Sequence, residues 1–218
     1  MTRKILIMTA VEAEKEAVLR GLSGEPGFEV AIAGVGPAAA AASTAAALAR
    51  ADGRYDLVVS AGIAGGFADV APIGSIVVAS ESIAADLGAE TPEGFASVDK
   101  LGFGTNRLPA DAEIASRLAE ALRRAGMPAH CGPVLTLSTV TGSAATAEAL
   151  AARYPGAAAE AMEGFGVAEA ARLFGLPFLE VRAISNAVGP RDRDAWKIGD
   201  ALAALEAANT YLAEVLPS

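Results

Sequence analysis

The stretch from Ala159 to Trp196 constrains the fold more than any other part of the sequence, because it indicates a strand, a helix and a second strand in close succession. The helix is expected to end near Phe174, before Gly175, which is a favoured residue at a helix C-terminus. Phe178–Ser185 is an apolar run of strand length, followed by the turn signal Gly189-Pro190. A unit of this kind is typical of α/β proteins.

Strands and helices alternate along the rest of the chain as well. The other expected strands are Lys4–Thr9, Phe28–Ala33, Asp56–Ala61, Ser75–Ser80 and Val134–Ser138. Residues 62–66 are expected to form a glycine-rich loop, and residues 88–108 an irregular excursion that covers a site or builds an oligomer interface. This order predicts one domain over residues 1–218, an α/β sandwich with helices on both sides of a mostly parallel sheet.

Composition excludes several classes of protein. A net charge of −9 disfavours a nucleic-acid partner, and the longest weakly polar run, Pro37–Ala49, is too short to span a bilayer. Cys131 is the single cysteine, which excludes an internal disulfide and a paired-cysteine metal site. His130 is the single histidine, so the familiar nucleophilic triads and a transition-metal cluster are disfavoured. We expect a cytoplasmic protein with no membrane partner, no metal and no cofactor.

Carboxylates are the remaining candidates for chemistry. Glu12 and Glu14 follow the first strand, and Glu163 follows a later one, so one edge of the sheet is expected to gather them. Acidic residues in a first helical turn also favour the helix dipole, which is the structural alternative for each of them alone. Arg182 lies within an apolar strand and needs a partner such as Glu163 to be buried there. Together these residues indicate a site that positions and deprotonates water.

Two glycine clusters offer further hypotheses. The sequence Gly34-Val35-Gly36-Pro37-Ala38-Ala39 partly matches a dinucleotide fingerprint, but Pro37 lacks the N–H that a phosphate would use. A tight turn before a helix is the better interpretation of that cluster. The second cluster, Gly62–Gly66, allows a ligand to approach the backbone closely or forms an ordinary exit from a strand.

Four motifs in this order resemble the nucleoside phosphorylase and nucleosidase superfamily over essentially the whole chain. They are AVEAE at Ala10–Glu14, SAGIAGG at Ser60–Gly66, AMEGFGVA at Ala161–Ala168 and VRAISN at Val181–Asn186. Within it, the chain is similar to 5′-methylthioadenosine/S-adenosylhomocysteine nucleosidases and, more closely, to the futalosine hydrolase family. The resemblance implies a three-layer α/β/α sandwich with a mixed central sheet, a small-molecule nucleoside substrate and a homo-oligomer.

The resemblance also implies an N-glycosyl hydrolase with assigned catalytic residues. Futalosine would be hydrolysed to hypoxanthine and dehypoxanthinyl futalosine, a step of the alternative menaquinone pathway. Glu14 matches the glutamate that activates water, and Arg182 matches the arginine that supports the water and the carboxylates. Glu163 matches the residue that binds the ribose hydroxyls, and Met162 packs against the sugar.

Further binding residues follow from the same motifs. Ala64 and Gly65 lie where the sugar side of the pocket is built, and the backbone of Thr139 and Val140 is expected to contact the purine. Trp196 falls where nucleosidases place an aromatic side chain beside the 5′ substituent, although a core position at a helix start is the alternative.

Asn186 departs from the methylthioadenosine nucleosidase pattern, in which an aspartate protonates adenine N7. An amide is not a conventional proton-donating acid, but it can donate to O6 and accept from N7–H, which suits a 6-oxopurine. Arg191 and Arg193 follow the same strand and are expected to bind the benzoate carboxylate of futalosine, or alternatively to pair with neighbouring aspartates. Aminofutalosine or methylthioadenosine hydrolysis, and a non-catalytic nucleoside sensor, stay open as alternatives.

Overall fold

The structure, a computed structural model, describes residues 3–67 and 69–216. The strands are β1 (Ile5–Thr9), β2 (Phe28–Ile32), β3 (Leu57–Gly66), β4 (Ile76–Ala84), β5 (Gly88–Thr91), β6 (Gly94–Ser97), β7 (Arg107–Pro109), β8 (Ala129–Thr136), β9 (Ala159–Ala161) and β10 (Phe178–Ala187). The helices are α1 (Glu12–Leu22), α2 (Pro37–Ala51), α3 (Ala112–Arg124), α4 (Ala144–Arg153), α5 (Gly164–Leu173) and α6 (Ile198–Val215). A short 3-10 helix, Arg193–Ala195, precedes α6.

The central sheet consists of two groups of parallel strands that run in opposite directions. Strands β2, β1, β3 and β10 form one parallel group, and β4, β8 and β9 form the other. The groups meet at two antiparallel junctions, β10 with β4 and β3 with β9. Because β3 pairs with both β10 and β9, the strands β3, β10, β4, β8 and β9 close into a ring. The sheet is therefore mixed and partly closed on itself.

Helices cover both faces of this sheet. Buried side chains of α1, α3 and α6 pack on one face, against Ile5, Val59 and Val181 among others. Buried side chains of α2 and α5 pack on the opposite face, against Leu6, Val58 and their neighbours. This arrangement confirms the α/β fold with helices around a mixed central sheet. Within the described residues, no helix is both long enough and apolar enough to cross a membrane.

The strand β3 is longer than the sequence indicates, and the expectation of a loop at Gly62–Gly66 is wrong. Those residues continue the strand and pair with β10 from Arg182 to Ala187. On the other side Gly65 and Gly66 pair with β9, and the Ile63 N–H donates to the Glu14 carboxylate. Glycine disfavours strands by its own propensity, but pairing with two neighbours overrides that preference.

The expected excursion at residues 88–108 has regular structure of its own. Strands β5 and β6 form an antiparallel hairpin, and β7 pairs with β4 at the end of the segment. Asn106 is buried there, and its side chain donates to the Ala84 carbonyl oxygen at 3.2 Å. Phe103 is 82% exposed, so the segment also presents a large apolar side chain to the surface.

We predict that Gly166→Ala lowers stability because of the contact between α2 and α5. A Cβ atom at Gly166 would overlap the Pro37 carbonyl oxygen, which is backbone and cannot move away independently. Overpacking of this kind costs about 1–3 kcal/mol, and urea unfolding measures it. Gly199→Ala in α6 is the matched control, since open space surrounds that position and stability should stay the same or rise slightly. Equal stability of the two variants would contradict the prediction.

Candidate active site

A cavity of about 230 Å³ lies where β1, β3 and β10 end and where β9 leads into α5. Acidic side chains line it at two places: Glu14 and Glu163 at the end near Gly62 and Arg182, and Glu160 further along β3, opposite Gly65. The rest of the lining is mostly apolar, with Val35, Ile63 and Val188 among its members. The cavity thus combines a few polar groups with apolar walls, as small-molecule sites commonly do.

Glu14 is buried at the start of α1 and is held by backbone donors. One carboxylate oxygen, Oε2, accepts from the Ala10 and Val11 N–H groups at 2.9 and 3.3 Å. The other, Oε1, accepts from the Ile63 N–H of β3 at 2.9 Å. Burial raises the pKa of the Glu14 carboxyl, while the Ile63 hydrogen bond and the Arg182 charge oppose that rise. A fixed carboxylate with a raised pKa suits a general base.

Arg182 is fully buried in β10 and holds the acidic end of the cavity together. Its Nε donates to Glu180 at 2.9 Å, and its Nη2 donates to the Ser60 hydroxyl at 2.9 Å. Its Nη1 lies 3.4 Å from the Glu163 carboxylate, which also accepts from the Gly36 N–H at 3.3 Å. The expected pairing of Arg182 with Glu163 is therefore present, and Glu180 is a second partner that sequence reasoning missed.

Gly62 lies at the point where Glu14 and Arg182 approach each other. A Cβ atom there would come within 2.6 Å of Glu14 Oε1 and 2.7 Å of Arg182 Nη1. No other residue fits at this position without displacing one of the two charged groups. The glycine-rich segment therefore allows a carboxylate and a guanidinium to share one side of β3.

Asn186 lines the cavity near the end of β10, where it pairs with Gly65, three residues of β3 beyond Gly62. Its Oδ1 accepts from the Ser185 hydroxyl at 2.8 Å, and its Nδ2 donates to the Ala187 carbonyl oxygen at 3.0 Å. These contacts fix the amide and leave it a further N–H and a further lone pair for a ligand. The register of β10 against β3 shifts between Ile184 and Asn186, and such a bulge changes the direction of a side chain.

Glu160 is a buried carboxylate of β9 that sequence reasoning missed. Its two oxygens accept from the backbone N–H of Thr141 at 2.8 Å and from the Thr141 hydroxyl at 2.5 Å. Burial raises the pKa of the Glu160 carboxyl, and the two bonds from Thr141 oppose that rise. The available signal was an acidic residue inside an apolar strand, the same signal that singled out Arg182.

The other expected binding residues differ in their placement. Ala64, Gly65, Met162 and Val140 all line the cavity. Thr139 is exposed and is not part of the lining; its place is taken by Thr141, which Glu160 holds inward.

The loop after β10 brings one aromatic side chain to the cavity. Trp196 lines it, and the guanidinium of Arg191 lies 5.4 Å from the Trp196 ring centre. Arg191 itself is exposed, and its backbone N–H donates to the Gly142 carbonyl oxygen at 3.2 Å. Arg193 is exposed in the short 3-10 helix, and neither arginine belongs to the cavity lining. Only Arg191 is therefore adjacent to the cavity, through Trp196.

Glu12 is outside the site, contrary to the expectation that three carboxylates gather there. It is exposed and lies 3.5 Å from Lys15, one turn along α1. Glu12 and Glu14 differ by two helical positions and so point in different directions. Across residues 3–67 and 69–216, no cluster of three or more His, Cys, Asp or Glu side chains could hold a metal ion.

Two groups of polar residues in the cavity are suited to different interactions. The end with Glu14, Glu163 and Arg182 can position water and stabilise a developing positive charge. The end with Asn186, Glu160 and the backbone near Val140 can form directional hydrogen bonds to a flat polar ring. The geometry is that expected for cleaving a bond between a sugar and a base.

Comparison with known proteins agrees with this geometry. The family model described as "Phosphorylase superfamily" matches residues 11–217. Futalosine hydrolase of Streptomyces coelicolor is 56% identical over 233 aligned residues, which cover 98% of this chain and 97% of the relative. Futalosine hydrolase of Acidothermus cellulolyticus is 48% identical, with 94% of this chain and 88% of the relative covered.

The fold is also found among solved structures. The S-adenosylhomocysteine nucleosidase of Streptococcus pyogenes, solved with 5-methylthiotubericidin, superposes with a TM-score of 0.83 at 21% identity. That comparison covers 100% of this chain and 98% of the other, and at this identity it supports the fold alone. The chain therefore belongs to the phosphorylase superfamily and, within it, to the futalosine hydrolase family.

Proposed function

We propose that this protein hydrolyses the N-ribosidic bond of futalosine to give hypoxanthine and dehypoxanthinyl futalosine, in the alternative menaquinone pathway. The observation that carries the proposal is the joint placement of Glu14, Glu163 and Arg182 at one end of a cavity that has Asn186 at the other. The 56% identity to a futalosine hydrolase supports the same reaction and substrate.

Glu14 is proposed to remove a proton from the attacking water. Its carboxylate is fixed by three backbone N–H groups, and its raised pKa increases its affinity for that proton. As the bond to the base breaks, positive charge develops on the ribose ring, which the carboxylates of Glu14 and Glu163 stabilise. Glu163 also accepts hydrogen bonds from the ribose hydroxyls, and Met162 packs against the sugar.

Asn186 is proposed to stabilise the leaving base. Its free N–H donates to O6 of the 6-oxopurine. As electrons flow from the breaking bond onto the ring, N7 takes a proton from solvent water, and the amide carbonyl oxygen then accepts from N7–H. The Ser185 hydroxyl favours this orientation of the amide because it already donates to Oδ1. This assignment favours a 6-oxopurine over the alternatives aminofutalosine and methylthioadenosine, whose base carries a 6-amine.

Two further expectations stay predictions. The exposed apolar side chains Phe103, Leu173 and Phe174 support the expectation of a homo-oligomer. The cytoplasmic location rests on the composition and charge of the chain.

We predict hydrolysis without phosphorolysis, and a large loss on Glu14→Gln. A phosphorylase must hold a dianion beside C1′, and the Glu14 carboxylate would repel it. The amide keeps the size of the side chain but cannot remove a proton, so turnover of futalosine should fall about 10²–10⁴-fold with little change in binding. Glu16→Gln, an exposed position of the same helix, should keep wild-type turnover.

The assay incubates futalosine, aminofutalosine, inosine and methylthioadenosine with and without phosphate, and identifies the products. Release of hypoxanthine and free dehypoxanthinyl futalosine at the same rate in both conditions is expected. A ribose 1-phosphate type of product that requires phosphate would refute the hydrolytic assignment.

We predict that the arginines after β10 bind the benzoate carboxylate of futalosine. Arg191 lies against Trp196 at the cavity, whereas Arg193 is further along the exposed turn, so Arg191→Ala should have the larger effect. Loss of a charge-assisted hydrogen bond of about 1.5–3 kcal/mol corresponds to roughly 10- to 150-fold in kcat/KM. Inosine, which lacks the carboxylate, should be affected little, and so should futalosine with the surface control Arg50→Ala. Equal losses on futalosine and inosine would show that the arginines are structural.

We predict that Asn186→Asp changes the base preference. With adenine, the amide N–H would face the 6-amine, and a buried donor left without an acceptor costs about 1–3 kcal/mol, or roughly 5- to 150-fold. An aspartate can accept from that amine and can supply a proton to N7. The variant should lose activity on futalosine and gain relative activity on aminofutalosine. The measurement is the ratio of kcat/KM for the two substrates, and an unchanged ratio would mean that Asn186 does not read the base.

A further inference from the structure

Glu160 is the one carboxylate of the cavity lining that the reaction proposed above does not use. The residue is 6% exposed, and both of its carboxylate oxygens accept hydrogen bonds from Thr141. Each carboxylate oxygen has two lone pairs, so each can accept a second hydrogen bond from a ligand. Glu160 also lacks an ion pair with any basic side chain in the described residues, in contrast to Glu163. A buried carboxylate with spare acceptor capacity points to a donor on the ligand.

Glu160 of β9 and Asn186 of β10 lie on the two strands that flank β3, and both are in register with the same β3 residue. Gly65 of β3 pairs with Glu160 on one side and with Asn186 on the other. Neighbouring strands lie about 4.8 Å apart, so the two backbones are roughly 10 Å apart with a glycine between them. A Cβ atom at Gly65 would come within 3.2 Å of Asn186 Nδ2 and would narrow this gap. The register therefore places Asn186 and Glu160 on the two strands that flank Gly65, and all three residues line the cavity.

The edge of a 6-oxopurine carries groups that match these two side chains. Along that edge lie N7, the acceptor O6 and the donor N1–H, whereas adenine has an amine at position 6 and an acceptor at N1. Asn186 can serve N7 and O6, which leaves N1–H in need of an acceptor. Glu14 and Glu163 are at the sugar end, so Glu160 is the remaining carboxylate of the lining.

We propose that Glu160 is a specificity-determining residue, which accepts a hydrogen bond from N1–H of the hypoxanthine ring and excludes adenine. The inference rests on the proposed function, since it names the part of the same cavity that selects the base. A carboxylate facing adenine N1 sets an acceptor against an acceptor, which costs binding whether or not Asn186 accommodates the amine. Thr141 is a positioning residue here, because its two donors orient the Glu160 carboxylate.

The alternative role for Glu160 is purely structural, as an anchor for the segment that contains Val140 and Thr141. Such an anchor would affect every base equally, because its loss would disorder the same wall of the cavity for all ligands. If Glu160 accepts a hydrogen bond from N1–H, its substitution would weaken binding only of bases that carry that proton. Discrimination between ligands, not the loss of activity, is therefore the informative measurement.

The first experiment compares binding of free hypoxanthine and 1-methylhypoxanthine to the wild-type protein by calorimetry. The methyl group replaces the N1 proton and leaves O6 and N7 unchanged, so wild type should bind 1-methylhypoxanthine at least about 10-fold more weakly. In Glu160→Ala, which removes the acceptor and opens space for the methyl group, the difference should disappear. Equal affinities in the wild type would overturn the proposal without any variant.

The second experiment measures kcat/KM for futalosine and aminofutalosine in Glu160→Gln. The amide can donate to N1 of the adenine ring, so the preference for futalosine should fall on the order of 10- to 100-fold. Glu148→Gln, an exposed position of α4, is the matched control and should keep the wild-type preference. Equal losses on both substrates would assign Glu160 to a structural role. A wild-type protein that releases no hypoxanthine from futalosine would instead refute the proposed function, so the two failures are distinguishable.

Discussion

The buried guanidinium of Arg182 is the constraint on which the rest of the site depends. A charge removed from water costs several kcal/mol unless partners compensate for it, so a fully buried arginine dictates what surrounds it. Glu180 and Glu163 supply opposite charge, and Ser60 supplies a hydroxyl acceptor. Gly62 leaves the space that the guanidinium and Glu14 occupy. Four segments that are far apart in the chain are thereby fixed around one side chain.

The charge balance of this cluster favours a cationic transition state. Glu14, Glu163 and Glu180 surround a single arginine, and burial raises the pKa of both Glu14 and Glu180 although Arg182 opposes the rise. An increased proton affinity at Glu14, and three carboxyl groups around one guanidinium, follow from the same arrangement. The first suits the removal of a proton from water, and the second suits the positive charge that develops on a ribose ring. One cluster therefore serves both requirements of N-ribosidic hydrolysis.

Much of this arrangement could be predicted from the sequence, because its signals are local. A charged residue inside an apolar strand, such as Arg182, indicates a buried ion pair. Glu163 follows the end of a strand, where ligands usually bind in α/β sheets. The strand pairing that positions Glu163 could not be predicted. Glu163 follows β9, and β9 pairs antiparallel with Gly65 and Gly66 of β3, a segment whose glycine content indicates a loop. Local propensity does not report which strands will pair. Glu160 carries a local signal of the same kind as Arg182, but its position relative to Asn186 could not be predicted, because it depends on the pairing of both strands with Gly65.

The extended strand β3 links the two parts of the cavity for which we propose different roles. Near Gly62 the strand admits Glu14 and Arg182, and near Gly65 it leaves open the gap between Glu160 and Asn186. Successive residues of a strand are about 3.3 Å apart, so the backbones of Gly62 and Gly65 are separated by roughly 10 Å along β3, which is the scale of a nucleoside. Both glycines belong to β3, which pairs with β10 along this whole stretch, so the two places share one backbone support. The spacing between the groups proposed to act on the sugar and those proposed to select the base is therefore governed by the paired backbone of β3.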